Sequence, residues 1–175
     1  KEFKLNIEVN HAILAKHSFE HEIAYALAND IFGSIDINRG DYLVGWDTDQ
    51  FPNNTEELLL PFYYLFKNQG LGSGGLNMDA KIRRQSIDPE DLFYAHIGAM
   101  DTCARALLAV ERMINDGSYE EFLQKRYENW THNKELMSSA SLEGIYEKVK
   151  SEDINPQPQS GRQEYLENLL NSFIE

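Results

Sequence analysis

The chain has 175 residues, 42% of them hydrophobic and 26% charged, with a formal net charge of -13 at pH 7. This composition is typical of a folded globular protein. Nucleic acids and anionic membranes are polyanions, so the acidic balance argues against both as partners. The single cysteine, Cys103, cannot form an internal disulfide, which favours a reducing compartment. Its place in an apolar helical pattern predicts a buried side chain rather than a nucleophile.

The chain opens on a strand pattern. Apolar side chains alternate with polar ones from Phe3 to Val9, which predicts a strand. Because the sequence enters this strand without an initiator Met, we expect a longer polypeptide or a separate chain to supply what precedes it. The first residues lack a signal-peptide layout, and no apolar run reaches about 18 residues, so we expect a cytoplasmic protein.

Helix and strand patterns alternate through the first half. Further strands are predicted at 31–37 and 76–82, with helices at 19–29 and 54–66. Asn54 and Glu57 fit an N-cap and its reciprocal partner, and Pro61 predicts a kink or a later helix start. Strands separated by helices at this spacing predict parallel βα units.

The second half is helical. Asp88 and Pro89 predict the start of a long helix that ends at Gly117. Helical patterns recur at 119–130, 142–150 and 163–174, and residues 151–162 read as an extended connector because they are polar and contain proline.

Acidic side chains follow the predicted strands. The candidate metal ligands are Glu8, His11, Asp36, Asp47, Asp49 and Asp79. Ligands in parallel α/β folds gather at the carboxyl ends of strands. Clustered carboxylates repel one another unless a cation binds, and an oxygen-rich set with one imidazole suits Mg²⁺, Mn²⁺ or Co²⁺. Six ligands are many for one ion, so we expect two cations that share a carboxylate.

Some motifs have alternative explanations. An isolated Asp-x-Asp pair such as Asp47 and Asp49 is often a solvated loop, and it also occurs in sugar transferases and in phosphatases with an aspartyl nucleophile. Those phosphatases usually carry Thr or Val where this chain has Phe51. Trp46 fits either a wall of a sugar pocket or a packed loop aromatic.

Two further patterns are weaker. "HSFEHE" places His17 and His21 at i and i+4, but it lacks the His-Glu-x-x-His order of a zinc helix, so exposed helix polarity is favoured. The glycines at 70, 72 and 75 match G-x-G-x-x-G, yet they follow a helix and precede a strand. We therefore predict a tight loop and exclude dinucleotide binding.

Four long motifs carry a family resemblance. "IEVNHAILAKHSFEHE", "GSIDINRGDYLVGWDTDQFP", "GLGSGGLNMDAKIRRQS" and "SGRQEYLENLL" resemble the C-terminal part of a bacterial-type xylose isomerase. The resemblance implies an α/β fold, about the last three strands of a (β/α)₈ TIM barrel followed by an extended helical arm, in a homotetramer. Residues 1–87 would be the βα units that carry metal ligands, and residues 88–175 the last barrel helix and the arm.

The resemblance also implies an activity and site roles. Members of the family interconvert D-xylose and D-xylulose, and often D-glucose and D-fructose, by a hydride shift assisted by two divalent metals. Glu8 resembles the bridging carboxylate. Asp36 and Asp79 resemble ligands of the first metal, whereas His11, Asp47 and Asp49 resemble ligands of the second. Asp49 also resembles the acid that moves a proton between sugar oxygens through water.

The resemblance leaves part of the family site uncovered. The family's ring-opening histidine, a lysine that contacts the sugar, and another glutamate ligand lie on earlier strands. We therefore expect these residues alone to have little isomerase activity and to need the N-terminal barrel strands. The alternative is a noncatalytic assembly module whose acids are vestigial.

Overall fold

The computed structural model describes residues 2–133 and 141–174. These residues fall into two compact units, one of residues 2–112 with 173–174 and the other of residues 113–172. The candidate metal ligands all lie in the first unit. The predicted functional division between residues 87 and 88 stays a prediction. The first residue of the first part, Lys1, and the last residue of the second part, Glu175, lie outside the described residues.

The described part of the chain contains short strands and longer helices. The strands are β1 (Leu5–Glu8), β2 (Phe32–Asp36) and β3 (Leu76–Asn77). The helices are α1 (Val9–Leu14), α2 (Phe19–Ala28), α3 (Glu56–Lys67), α4 (Pro89–Asp116), α5 (Ser118–His132), α6 (Leu142–Ser151) and α7 (Gln163–Ser172). The mixed α/β class is confirmed.

The three strands form one parallel sheet in the order β1-β2-β3. The last residues of β1 and β2, Glu8 and Asp36, are register partners. Asp36 is paired in turn with Asn77, the last residue of β3. Because parallel strands end at the same edge, the residues that follow all three strands meet there. The predicted parallel βα order is confirmed, and closure into a barrel stays a prediction.

Several predicted boundaries differ from the structure. β1 ends at Glu8, the unpredicted helix α1 begins at Val9, and β3 is two residues long rather than seven. The N-cap position falls at Thr55, one residue later than predicted, but Thr55 makes no side-chain capping bond. The Asn54 Oδ1 nevertheless accepts the N–H of Glu56 at 3.0 Å. Pro61 lies inside α3, so a later helix start is also wrong.

The core of the first unit lies between the sheet and its helices. α2 packs against α3, and fully buried aliphatic side chains from the sheet side and α2 include Ile35, Ile37 and Ile23. α2 begins where Ser18 Oγ accepts the His21 N–H at 3.1 Å, a standard N-cap. Cys103 on α4 is only 8% exposed and unpaired, as predicted.

The second unit is built from helices. Phe122 on α5 and Tyr165 on α7 have ring centroids 5.8 Å apart, and the Arg126 guanidinium lies 4.6 Å from the Phe122 centroid. Arg126 also donates to the Gly161 carbonyl. The helices predicted at 119–130, 142–150 and 163–174 are therefore present within a few residues. Among the described helices, none is both long and apolar enough to cross a lipid bilayer.

Candidate metal centre

The carboxyl ends of the strands bring three acids together. Glu8 and Asp36 end β1 and β2, and Asp79 lies two residues after β3. One carboxylate oxygen from each of the three lies within 4.8 Å of the others. Glu8, Asp36 and Asp79 therefore form one oxygen-rich group at the edge of the sheet.

Glu8 belongs to a second group as well. His11, on the first turn of α1, has its Nδ1 3.2 Å from Glu8 Oε2 and its Nε2 3.2 Å from Asp47 Oδ2. The donor atoms of Glu8, His11 and Asp47 also lie within 4.8 Å of one another. Glu8 is thus common to both groups, which is the arrangement that a shared carboxylate between two cations requires.

Asp49 lies outside both groups. Its side chain is largely buried, and its Oδ2 lies 2.5 Å from the Lys81 ammonium. Burial opposes ionisation, but hydrogen bonds with the Asp47 carboxyl, Lys81 and Asn10 outweigh it and lower the pKa of Asp49. Its backbone is in the left-handed region at φ 39°, which Asp tolerates better than most residues. Asp49 is therefore held ionised beside the two groups.

Asn38 links these groups. This side chain is 1% exposed, and its Nδ2 donates to Glu8 Oε1 at 2.9 Å and to the Asp79 carbonyl at 3.0 Å. The same nitrogen lies 3.5 Å from Asp49 Oδ1. The buried amide of Asn38 thus orients both the Glu8 carboxylate, which the two groups share, and the backbone carbonyl of Asp79.

Asn38 also caps α1 from a distance. Glu8 holds the N-cap position of α1 but makes no side-chain capping bond. Instead, Asn38 Oδ1 accepts the N–H of Asn10, a first-turn donor without an intrahelical partner, at 2.9 Å. Because Asn38 supplies the cap, the Glu8 carboxylate is free to face the acids.

Other asparagines hold two further carboxylates, those of Asp36 and Asp47. The Asn6 and Asn77 amides donate to Asp36 at 2.5 and 3.2 Å, one to each oxygen. The Asn10 amide donates to Asp47 Oδ1. Carboxylates that accept several hydrogen bonds lose rotational freedom, so these amides arrange the acids before any cation binds.

The electrostatics of Glu8 fit a cation site. Burial raises the pKa of Glu8, and the charges of Asp47 and Asp49 raise it further, whereas the Asn38 hydrogen bond and His11 lower it. A nearby divalent cation would reverse this balance by stabilising the ionised form. Four carboxylates and one imidazole in the two groups are the donor set that hard divalent ions such as Mg²⁺ and Mn²⁺ accept.

The sequence patterns did not identify Lys81 or the site asparagines, which are Asn6, Asn10, Asn38 and Asn77. Asn10 and Asn38 each stand two residues after a strand end, in "EVN" and "DIN", which is the signal that could have identified them. Lys81 carries no such signal, because its contact with Asp49 depends on the backbone bond from the Lys81 N–H to the Asp49 carbonyl at 2.7 Å.

The structure also tests the predictions for the glycine-rich loop, for Trp46 and for the two histidines of "HSFEHE". Gly70 and Gly72 adopt positive φ between α3 and β3, as a tight loop requires. Trp46 is 66% exposed, so its interpretation as a packed loop aromatic is wrong. His17 and His21 are indeed exposed, yet their ring nitrogens converge on Glu22.

Comparison with known proteins finds relatives that match almost the whole of this chain. A xylose isomerase from Ruegeria sp. (strain TM1040) is 58% identical over 176 residues, which is 99% of this chain and 40% of the relative. The chain is homologous to xylose isomerases. The enzyme from Cereibacter sphaeroides is 59% identical and that from Brucella canis 55%, each over 99% of this chain and 40% of its own length. The family model for the XylA2 C-terminal domain matches residues 123–174.

These matches confirm the predicted resemblance. The chain spans about 40% of the length of the curated xylose isomerases it matches. What those proteins do as complete enzymes therefore applies to this chain only as a proposal, whereas the small parallel sheet with its helices agrees with a part of such a protein.

Proposed function

We propose that this chain supplies the metal-binding part of an aldose-ketose isomerase that interconverts D-xylose and D-xylulose, and also D-glucose and D-fructose. The observation that carries the proposal is the sharing of Glu8 between two groups of donor atoms. A shared carboxylate would hold two cations side by side, as a two-cation sugar isomerase uses them, and homology to xylose isomerases supports the same activity.

Asp36 and Asp79 would hold the first cation with Glu8, and His11 and Asp47 would hold the second with Glu8. Mg²⁺ suits the oxygen-rich donors best, with Mn²⁺ and Co²⁺ as alternatives. When bound, such cations supply a positive charge that polarises the carbonyl and hydroxyl oxygens of the open-chain sugar. The reaction then moves a hydride from C2 to C1, so no redox cofactor takes part.

Asp49 would join the second cation's ligands and move the proton. Near neutral pH its carboxylate is ionised, as an ordinary aspartate is, and so can accept a proton, although the hydrogen bonds that lower its pKa make it a weak base. The Lys81 ammonium lies 2.5 Å from the Oδ2 atom, and the Asn38 amide lies 3.5 Å from Oδ1. Asp49 is therefore the group that we propose as catalytic.

The proposed assembly is a homotetramer in which the sheet continues into the N-terminal strands of a barrel. Those strands, in the same or a separate chain, would complete the sugar site, so the residues described here should have little activity alone. A cytoplasmic location fits an unpaired, buried cysteine.

A direct assay tests the catalytic proposal. The purified protein, with the rest of its polypeptide or partner chain, is assayed for xylose-to-xylulose conversion in Mg²⁺ or Mn²⁺. Asp49→Asn should abolish most of the activity, since an amide cannot accept the proton. Asp41→Asn is the matched control, because Asp41 is exposed in the same loop and its Oδ1 accepts the Leu43 N–H, which an amide oxygen can also do.

A noncatalytic assembly module is the alternative. The exposed apolar side chains of α4, among them Phe93, Ile97 and Leu108, favour a role in contacts with other chains. Such a module would show no isomerase activity and no cation binding in the complete protein, and Asp49→Asn would change neither.

A further inference from the structure

A second cluster of ligand-type side chains lies outside the proposed centre. His21 Nδ1 is 3.4 Å from Glu22 Oε1, and His17 Nδ1 contacts the same oxygen. The ring centroids of His17 and His21 are 4.6 Å apart. The three donor atoms lie within 4.8 Å of one another.

Local structure brings these side chains to one place. Ser18 is the N-cap of α2, so His17 precedes the helix while His21 and Glu22 lie in its first turns. The left-handed backbone of Lys16, at φ 65°, turns the chain just before His17. Tyr25, one turn further along, stacks on the His21 ring with centroids 6.1 Å apart and an angle of 18°. The position of the three side chains therefore depends on the backbone at the start of α2 and not only on their own side-chain conformations.

We propose that His17, His21 and Glu22 form a site for a borderline divalent transition-metal ion, such as Zn²⁺ or Ni²⁺. Two imidazoles and one carboxylate are donors that Zn²⁺ accepts, with water in the remaining position. Tetrahedral ligands at Zn–N and Zn–O distances of about 2.0–2.2 Å lie roughly 3.3–3.6 Å apart. The separation between His21 Nδ1 and Glu22 Oε1, 3.4 Å, lies within that spacing, whereas His17 Nδ1 contacts the same oxygen directly and would move away from it to admit an ion.

The donor chemistry separates this site from the strand-end centre. The strand-end centre offers a single imidazole among carboxylates, whereas the cluster at the start of α2 offers two imidazoles and one carboxylate. Imidazole favours Zn²⁺, Ni²⁺ and Cu²⁺ over Mg²⁺, since Mg²⁺ keeps oxygen ligands and several waters. The side chains of His17, His21 and Glu22 are 48%, 55% and 26% exposed, so an ion enters directly from solvent.

A bound ion would fix the connection between α1 and α2. His17 lies in the short segment after α1, while the other two ligands lie within α2. One ion would therefore tie the connecting segment to the helix. Because the ion binds the folded arrangement, it would stabilise the protein in proportion to the logarithm of its concentration above the dissociation constant.

Nickel titration followed by histidine NMR tests the proposal. The chain has five histidines, and their signals in the complete protein are assigned by substituting each of the five in turn. The complete protein is first saturated with Mg²⁺, and Ni²⁺ is then added below one equivalent. We expect the signals of His17 and His21 to broaden before those of His11, His96 and His132. Broadening of His11 alone, or of all five equally, would overturn the proposal.

Ligand variants give an independent measure. In Mg²⁺, His21→Gln and Glu22→Gln should each weaken binding of one Ni²⁺ by more than about tenfold, since even partners outside the ligand set can cost that much. His132→Gln is the matched control, being an exposed histidine in the last turn of α5. Wild-type Ni²⁺ affinity and stoichiometry in both ligand variants would contradict the site, whether or not isomerase activity is found.

Discussion

Replacing Asn38 with alanine should destabilise the first unit far more than a typical asparagine substitution. The substitution removes a bond to a charged acceptor, Glu8, and one to the Asp79 carbonyl. The bond to Glu8 contributes about 1.5–3 kcal/mol to the free energy of unfolding, and the bond to the Asp79 carbonyl contributes about 0.5–1.5 kcal/mol. It also leaves the fully buried Asn10 without an acceptor for its N–H, and loss of a helix cap costs about 0.5–2 kcal/mol. Because such terms are not additive, we expect a total of about 3–5 kcal/mol.

Asn68→Ala is the matched control. The Asn68 amide donates to the Tyr64 carbonyl at 2.9 Å, but the residue is exposed at the end of α3. Water replaces that bond, so we expect a loss below about 1 kcal/mol. Urea denaturation gives the two values, and hydrogen exchange over residues 5–14 locates the effect, since uncapping α1 should speed exchange there.

One outcome of these measurements would contradict the role given to Asn38. If Asn38→Ala and Asn68→Ala lowered the urea midpoint equally, and exchange over residues 5–14 were unchanged, Asn38 would neither cap α1 nor hold Glu8. The proposed organisation of the strand-end groups by a buried amide would then be wrong.

Two further predictions concern backbone space and thiol reactivity. Gly74→Ala should lower the free energy of unfolding by roughly 1–3 kcal/mol or more, because the added Cβ would meet the Gly33 carbonyl oxygen at 1.7 Å. The Cβ of Gly75→Ala meets nothing within 4 Å, so this variant should change the free energy of unfolding by less than about 0.5 kcal/mol. Equal midpoints for the two variants would contradict this. Burial raises the pKa of Cys103 to about 11, so native protein should react slowly with iodoacetamide at pH 7.5 and quickly once unfolded in urea. Fast native alkylation would show that the thiol is accessible.

The alternation of strands and helices along the chain could be predicted from the sequence because it depends on local patterns. Alternation from Phe3 to Val9 marks β1, and the acids that follow each strand mark the site. The end of β1 could not be predicted in the same way. α1 starts at Val9 because Asn38, far along the chain, accepts the Asn10 N–H.

The arrangement of Asp47 and Asp49 depends on tertiary structure too. Their spacing suggests equivalent ligands, but only Asp47 joins the group with Glu8 and His11. Asp49 instead meets Lys81, whose position follows from the chain's path after β3. Spacing in a loop does not fix which direction each carboxylate faces, since the loop backbone between them is irregular.

The number of Mn²⁺ ions bound by the complete protein tests the central claim most directly. Equilibrium dialysis would compare the wild type with Glu8→Gln and with the loop control Asp41→Asn. If Glu8 is shared, the wild type and the control should bind two ions, and Glu8→Gln should weaken both by more than about tenfold. Unchanged binding in Glu8→Gln, or the loss of only one ion, would contradict a shared carboxylate.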